Sequence, residues 1–314
     1  MRVGILGYGK IGKLRHEVLK SLYPNTTYSI FDPLSHTDLT PEQVVDNSDV
    51  VFICSPNFKN VEYTTLALSK DKHVFCEKPP ARSYNELLQV KETYKSDRTL
   101  IYGFNHRQYD SVKRIKSAVD QDEFGKILWL RGRYGKNMSK ELSSTGWRMD
   151  YEKSGGGILL DQGIHMLDLM IFLTGGFDKV QSIVTNNLWD IEGIEDNVFV
   201  NLYNSEKNIS ASLHSTMIEW RHLFSLEVLF ERGYMSLNGL KTPSGSYGRE
   251  VLTICNDKHN TDDISTEQKI EYKNNTTWES EVSLFMESVI NNENRSNLED
   301  ALNVMKLIRE VYEN

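Results

Sequence analysis

The 314-residue sequence is short of several things, and each shortage excludes something. It has three cysteines, Cys54, Cys76 and Cys255, an odd number with no Cys-x-x-Cys among them. That set argues against a disulfide framework, and small buried thiols in a reducing cytosol are expected, so the chain is expected in the cytoplasm. No apolar run approaches the ~20 residues of a bilayer-crossing helix. A strand that opens at Arg2 leaves no signal peptide expected, and no membrane is expected as a partner. Positive charge is in deficit: 36 Lys and Arg face 44 Asp and Glu, a net charge of −8. That argues against a general nucleic-acid binder while leaving room for a locally basic pocket. Internal repeats and low-complexity tracts are also missing. What remains is an ordinary globular composition, 39% hydrophobic and 25% charged, at a length that favours two domains with full cores.

The most informative stretch is the first twelve residues. Arg2 to Leu6 reads as a short apolar strand, Gly7-Tyr8-Gly9-Lys10-Ile11-Gly12 follows at once, and a helical pattern runs from Ile11 to Leu22. Strand, glycine turn and helix in that order form the phosphate-binding start of a dinucleotide fold. Gly7 permits the sharp turn, Gly9 lets backbone approach a pyrophosphate, and Gly12 lets helix and strand pack closely. The helix N-terminus offers N–H groups and partial positive charge to the phosphates. On the motif alone, an ordinary strand-to-helix turn is the competing reading. A second strand, Thr27 to Phe31, ends in Asp32, twenty positions after Gly12. A carboxylate there accepts hydrogen bonds from an adenosine ribose and repels a 2′-phosphate, so NAD is favoured over NADP. Pro33-Leu34-Ser35, and no arginine, follows it.

Further strands are expected at Asp49–Cys54, Lys72–Cys76 and Thr99–Gly103, with helices at Pro41–Val45, Val61–Leu68 and Tyr84–Tyr94 between them. Ser83 caps the last of these, with Glu86 three residues on. The alternation predicts a parallel, doubly wound sheet. The character changes after about residue 120. Ile127–Tyr134 alternates like an open-faced strand, and Gly155-Gly156-Gly157 leads into a helical pattern from Ile158 to Leu173. Strand-like runs then follow one another: Val180–Thr185, Asn197–Tyr203, Ile209–Ser215, Phe224–Phe230 and Tyr234–Leu237. They predict a largely antiparallel sheet with helices on one face. Residues 238–265 read mostly as loop, with Val251–Ile254 a strand candidate and Asp257, Asp262 and Asp263 in a solvated stretch. Helices Trp278–Ile290 and Leu298–Tyr312 finish the chain. The expected fold is α/β: a dinucleotide-binding domain over 1–120, and an α+β substrate and oligomerisation domain over 121–314 whose last helix can pack back on the first.

Ligands of doubly wound sheets bind beyond the carboxyl ends of the strands. The glycine turn, Ser55-Pro56-Asn57 and Glu77-Lys78-Pro79 are therefore expected there. Proline restricts the backbone of Lys78, and a cis Lys-Pro bond fits this setting. An ammonium beside a nicotinamide could stabilise the alkoxide-like charge that precedes hydride loss; a solvated turn lysine is the plainer alternative. In the second half, Asp161 and His165 are four apart and share a helix face. An imidazole can take a hydroxyl proton while a carboxylate orients it. A zinc pair is a rival reading, but no third ligand lies close in sequence and hydride transfer needs no metal; a plain core histidine is another. Asn105, Arg107, Tyr134, Trp147 and Arg148, which follows the polar loop Asn137–Thr145, are weaker candidates for substrate contact. Each is equally well read as a structural hydrogen-bond partner. His214 and His222 are expected on strand faces without a catalytic part.

These residues carry a resemblance. Gly7–Gly12, Glu77-Lys78-Pro79, Asn105-His106-Arg107 and the run from Gly155 through Asp161 and His165 to Asp168-Leu169 together resemble the glucose–fructose oxidoreductase / inositol dehydrogenase / rhizopine catabolism (Gfo/Idh/MocA) family, over nearly the whole chain. The resemblance implies a Rossmann domain followed by an α/β domain whose exposed sheet face makes dimers or tetramers. It implies NAD(P)-dependent oxidation or reduction of a hydroxyl on a sugar, cyclitol or sugar nucleotide. Lys78 and His165 would carry the proton chemistry, and Asp161 would orient the substrate or the histidine. One departure is visible: Pro33–Ser48 is brief and shows no strand, where many relatives carry a longer helix and a further short strand. Two other function classes stand beside the dehydrogenase: a glycosidase that uses transient oxidation by bound NAD, and a non-catalytic NAD-binding sensor.

Overall fold

A computed structural model describes residues 1–138, 146–256 and 267–314. They form two compact units. The first comprises Met1–Asn105, Asp150–Gly155 and Thr277–Lys306; the second comprises His106–Met149, Gly156–Thr276 and Leu307–Asn314. This division differs from a single cut at residue 120, because the chain leaves the first unit after Asn105 and later returns to it twice.

The first unit is built on a parallel sheet of β1 (Arg2–Leu6), β2 (Thr27–Phe31), β3 (Val50–Ile53), β4 (His73–Glu77) and β5 (Leu100–Gly103), in the order β2-β1-β3-β4-β5. Strands β3 and β5 are fully buried, and β4 is buried from Val74 to Glu77, as strands covered on both faces must be. Register aligns their carboxyl ends. Phe31, Leu6, Ile53, Cys76 and Tyr102 form one row across the sheet, so Asp32, Gly7, Cys54 and Glu77 emerge along one edge. Between β2 and β3 there is no further strand, only a bridge from Asp32 to His36 and the helix α2 (Pro41–Asp46). Thr40 and Gln43 cap that helix reciprocally, with Pro41 at its start. Helices α1 (Lys10–Leu22), α3 (Asn57–Ser69) and α4 (Tyr84–Thr93) complete the alternation. The second helix of the sequence reading that begins at Val61 starts earlier, at Asn57, directly after Pro56.

The apolar core of this unit needs residues from far along the chain. Val3, Ile5, Val50, Phe52 and Phe75 of the sheet pack with Val18 and Leu19 of α1 and with Val282, Phe285, Met286 and Val289. Phe52 and Phe75 stack at 5.1 Å, and Phe285 meets both edge-on, at 5.2 and 5.8 Å.

The second unit holds an eight-stranded sheet. Its strands are β6 (Ile127–Asn137), β7 (Lys179–Thr185), β8 (Asn197–Asn204), β9 (Ile209–Thr216), β10 (Ile218–Phe230), β11 (Tyr234–Asn238), β12 (Glu250–Cys255) and β13 (Gln268–Tyr272). The order is β13-β12-β11-β10-β6-β9-β8-β7, antiparallel except for the parallel pair β6 and β9. Strand β13 and the helix α5 (Asp110–Asp120) are absent from the sequence reading. The helix expected from Ile158 begins as a π-turn, Leu159–Gly163, and continues as an α-helix, Ile164–Thr174. It crosses β6 at Gly132, where a Cβ would lie 2.6 Å from Met166 and 2.8 Å from Met170. Contrary to the reading of the sequence as free of long apolar runs, the helical stretch Tyr151–Thr174 is long and apolar enough to span a bilayer. Of its most apolar part, 83% is buried inside the protein, as in a core helix. The acidic residues Asp257, Asp262 and Asp263, and most of the loop Asn137–Thr145, lie outside the described residues.

Candidate active site

In the first unit the glycine turn meets two opposite requirements. Gly7 has φ +93°, and a Cβ there would strike the Cys54 carbonyl at 2.7 Å; a Cβ on Gly12 would lie 2.1 Å from the Gly7 oxygen. At Gly9 nothing stands within 4 Å of a Cβ position. The turn is therefore closed against itself and against the end of β3, and open at the one glycine that a pyrophosphate must approach. Gly9 caps α1 without any side-chain hydrogen bond, leaving the N–H groups of the first turn, beginning at Lys10 and Ile11, aimed into that opening. These residues fit a dinucleotide.

Asp32 is tied to the turn: its Oδ2 accepts the Tyr8 N–H at 2.7 Å and its Oδ1 accepts the Leu34 N–H at 2.9 Å. The Tyr8 hydroxyl lies 2.6 Å from Nδ1 of buried His16, and its ring meets His36 edge-on at 4.7 Å. Burial first, and Lys20 second, hold the His16 imidazole below its ordinary pKa. Further along the edge, Ser55 donates to Asn60 Oδ1 at 3.2 Å, and the Asn60 amide donates to the Pro79 carbonyl at 2.8 Å. Asn60, missed in the sequence, thus ties the turn after β3 to the turn carrying Lys78. The Lys78–Pro79 bond is cis. Asn57, expected at the cofactor, donates its amide to the Ser154 carbonyl at 2.9 Å.

Glu77 is anchored by a residue that no motif announces. Arg15 is fully buried; its Nε lies 2.7 Å from Glu77 and its Nη2 lies 2.6 Å from Glu281. Its guanidinium is sandwiched 4.4 Å from the Phe75 and Trp278 rings. Burial opposes its charge, but the two carboxylates override it and keep the group protonated. One side chain of α1 therefore fixes the residue immediately before Lys78.

The second unit carries the other cluster. Gly157 approaches the Glu195 backbone so closely that a Cβ would lie 2.0 Å from its oxygen, and the Glu195 carboxylate accepts the N–H groups of Gly157 and Leu159 at 2.7 and 2.8 Å. The triple glycine is thus a docking segment that sets where the π-turn begins. Within it Asp161 lies 3.5 Å from Lys136, 3.8 Å from Arg148 and 3.2 Å from the Gln162 amide. Trp147 packs on Arg148 at 4.3 Å. Lys136, one strand residue beyond Gly135, was not singled out in the sequence. His165 is buried, and its ring stacks on His106 at 3.9 Å with a 22° interplanar angle.

The weaker candidates divide. Tyr134 is buried, with its hydroxyl 3.1 Å from His106 Nε2, so it stands behind the histidines. Burial pushes its phenol well above the ordinary pKa and keeps it un-ionised. Arg107 forms a bidentate pair with buried Asp168 at 2.8 and 2.5 Å, a structural partnership. Asn105 is the last residue of the first unit and opens the 3-10 turn Asn105–Gln108. His214 bonds Asn197 at 2.9 Å and stacks on Phe199, while His222 meets Tyr247 edge-on. Lys78 belongs to the first unit, Asp161 and His165 to the second. Among the described residues no group of three or more His, Cys, Asp or Glu side chains could hold a metal ion.

A parallel five-stranded sheet with an open glycine turn, followed by an open-sheet unit bearing a buried histidine and a carboxylate on one helix, defines a two-unit dinucleotide-fold protein. Residues 1–104 match the model of an oxidoreductase family with an NAD-binding Rossmann fold, and residues 112–236 match the GFO/IDH/MocA C-terminal domain. The chain belongs to the Gfo/Idh/MocA family. It is 29% identical over 188 residues to glucose-6-phosphate 3-dehydrogenase of Bacillus subtilis, covering 55% of this chain and 53% of that one. It is 30% identical over 191 residues to myo-inositol 2-dehydrogenase of Thermotoga maritima, covering 56% and 55%. The chain thus matches about half the length of these curated relatives. The structure of levoglucosan dehydrogenase in complex with NADH and levoglucosan superposes with a TM-score of 0.83 at 19% identity, over 100% of this chain and 96% of that one, a likeness of fold.

Proposed function

We propose that the protein is a dehydrogenase that moves hydride between a nicotinamide dinucleotide and a hydroxyl-bearing carbon of a sugar, cyclitol or sugar nucleotide. The observation that carries this reading is the combination in one chain of a glycine turn open at Gly9 with a buried histidine, His165, one turn beyond Asp161. NAD is the favoured cofactor because the Asp32 carboxylate stands at the end of β2, tied to the glycine turn. When bound, the nicotinamide accepts or gives the hydride at its C4. This chain's residues do the rest. His165 takes the hydroxyl proton, the Lys78 ammonium stabilises the oxygen as it gains charge, and Asp161, held by Lys136 and Arg148, takes a substrate hydroxyl. We further propose a homodimer or homotetramer formed through the exposed face of the eight-stranded sheet, working in the cytoplasm.

The test is a panel of sugars, inositols and sugar nucleotides with NAD and with NADP, followed at the NADH absorbance band. Turnover of at least one member, faster with NAD, is expected. Lys78→Met should lower kcat by about 10²-fold or more while leaving NAD affinity nearly unchanged. Unaltered turnover in that variant would remove Lys78 from the chemistry. NAD held tightly through purification with no net redox on any member would turn the reading to the transient-oxidation glycosidase.

A further inference from the structure

His106 belongs to no motif with an assigned chemistry, yet its ring packs directly on that of the proposed base. Its imidazole lies face-on to that of His165 at 3.9 Å and 22°, while the Tyr134 ring stands 6.4 Å away and tilted. His106 is itself immobilised. Its Nε2 is 3.1 Å from the Tyr134 hydroxyl, and the ring of Tyr109 meets it edge-on at 5.5 Å. Tyr134 is pinned in turn, edge-on to Phe224 at 5.3 Å and to Tyr247 at 5.5 Å.

The neighbouring residue doubles the attachment. Arg107 reaches Asp168 with two hydrogen bonds of 2.8 and 2.5 Å, and its guanidinium lies 4.7 Å over the Phe172 ring. His165 and Asp168 are three residues apart, on one face of the helix Ile164–Thr174. Two consecutive residues of the 3-10 turn Asn105–Gln108 therefore grip two consecutive positions on one helix face. The ion pair fixes the helix, and the stack fixes the plane of the histidine ring.

We propose that His106 is a positioning residue for His165, holding by ring stacking the plane in which the imidazole takes the substrate proton. The inference rests on the reading of His165 as the base. An imidazole exchanges protons in its own plane, where its two nitrogens lie, so the ring stacked on one face sets the direction from which His165 meets a hydroxyl. The attraction between the faces also persists when His165 becomes an imidazolium, because the ring beneath it then acts as a π donor to a cation. A side chain of equal bulk without a ring keeps the packing but lets the imidazole rotate.

The test compares His106→Phe, which keeps a flat ring, with His106→Leu, which does not, and with His165→Asn. The probes are glucose, glucose 6-phosphate and myo-inositol with NAD. His106→Leu should lower kcat about tenfold or more, with KM and NAD affinity within about twofold, and His106→Phe should recover most of that loss. Wild-type kcat in His106→Leu, or an equal loss in both variants, overturns the proposal. Full activity in His165→Asn overturns the reading of the base and the proposal with it; an inactive His165→Asn beside an unaffected His106→Leu sinks only the proposal. Histidine-selective 13C labelling reads the stack with no substrate present. The ring signals of His165, assigned by their loss in His165→Asn, should carry a ring-current shift that disappears in His106→Leu and survives in His106→Phe; signals unmoved by either change overturn it.

Discussion

Gly9 and Gly12 stand three residues apart in one turn and are glycine for unrelated reasons, which substitution should separate. A methyl group at Gly12 would collide with the backbone oxygen of Gly7, 2.1 Å away, and neither partner can give. Gly12→Ala should therefore destabilise the fold by about 1–3 kcal/mol or more in urea denaturation. At Gly9 the backbone lies at φ −71° and ψ −159°, open to any residue, and the methyl group meets nothing. Gly9→Ala should cost at most about 1 kcal/mol of stability but weaken NAD binding about tenfold, ~1.4 kcal/mol, because the methyl stands where the pyrophosphate approaches. Calorimetric titration alongside the denaturation curve would separate the two effects. An unchanged NAD affinity in Gly9→Ala would place the dinucleotide elsewhere.

Among the elements, α1 is the one whose role extends beyond its own sequence motif. Its Arg15 joins Glu77 at the end of β4 to Glu281 in the helix Thr277–Ile290, all within the first unit. Removing the cation leaves two buried carboxylates without it, so Arg15→Met should cost about 3–5 kcal/mol, read as a fall in the urea midpoint. A loss under 1 kcal/mol would mean that the pair is incidental. This triad also marks where sequence reading stops. Strand β2 is legible to the residue because its pattern and its Asp32 are local. The triad joins positions 62 and 266 residues apart, and no spacing rule reaches that far. Helix α5 lies between: no side chain caps it, yet Val112, Ile115 and Ala118 recur at helical spacing and are all buried. The π-turn carrying Asp161 was unreadable for another reason. The four-residue spacing to His165 looks the same in an α-helix, and it is the docking of Gly157 on Glu195 that decides the winding. Lys136 was hidden likewise, because only the pairing of Asp161 with β6 gives it significance.

At the scale of the whole molecule, the eight-stranded sheet keeps large apolar side chains in solvent. Ile183 of β7 pairs with Phe199 of β8, which pairs with His214 of β9, which pairs with Arg133 of β6. Ile183 is 63% and Phe199 47% exposed, and Trp129 lies on the same face of β6. A stacked aromatic and a branched aliphatic side by side in water suit a surface covered by a second copy. If a second copy covers this face, Phe199→Asp combined with Ile183→Asp should shift the mass measured by light scattering to the monomer, with little change in the fold; an unchanged mass would rule this face out as an interface.

The return of residues 277–306 to the first unit has a consequence for how the protein is made. Phe285, which closes the core over Phe52 and Phe75, leaves the ribosome after the entire second sheet. The dinucleotide fold is therefore begun before the second sheet and completed only after it, with an oily patch uncovered on the nascent chain while that sheet is made. A fragment ending at residue 120 should accordingly aggregate, or bind a hydrophobic dye strongly, and adding a peptide of residues 277–306 should quench that signal. A soluble, dye-silent fragment would show that the early strands shield themselves.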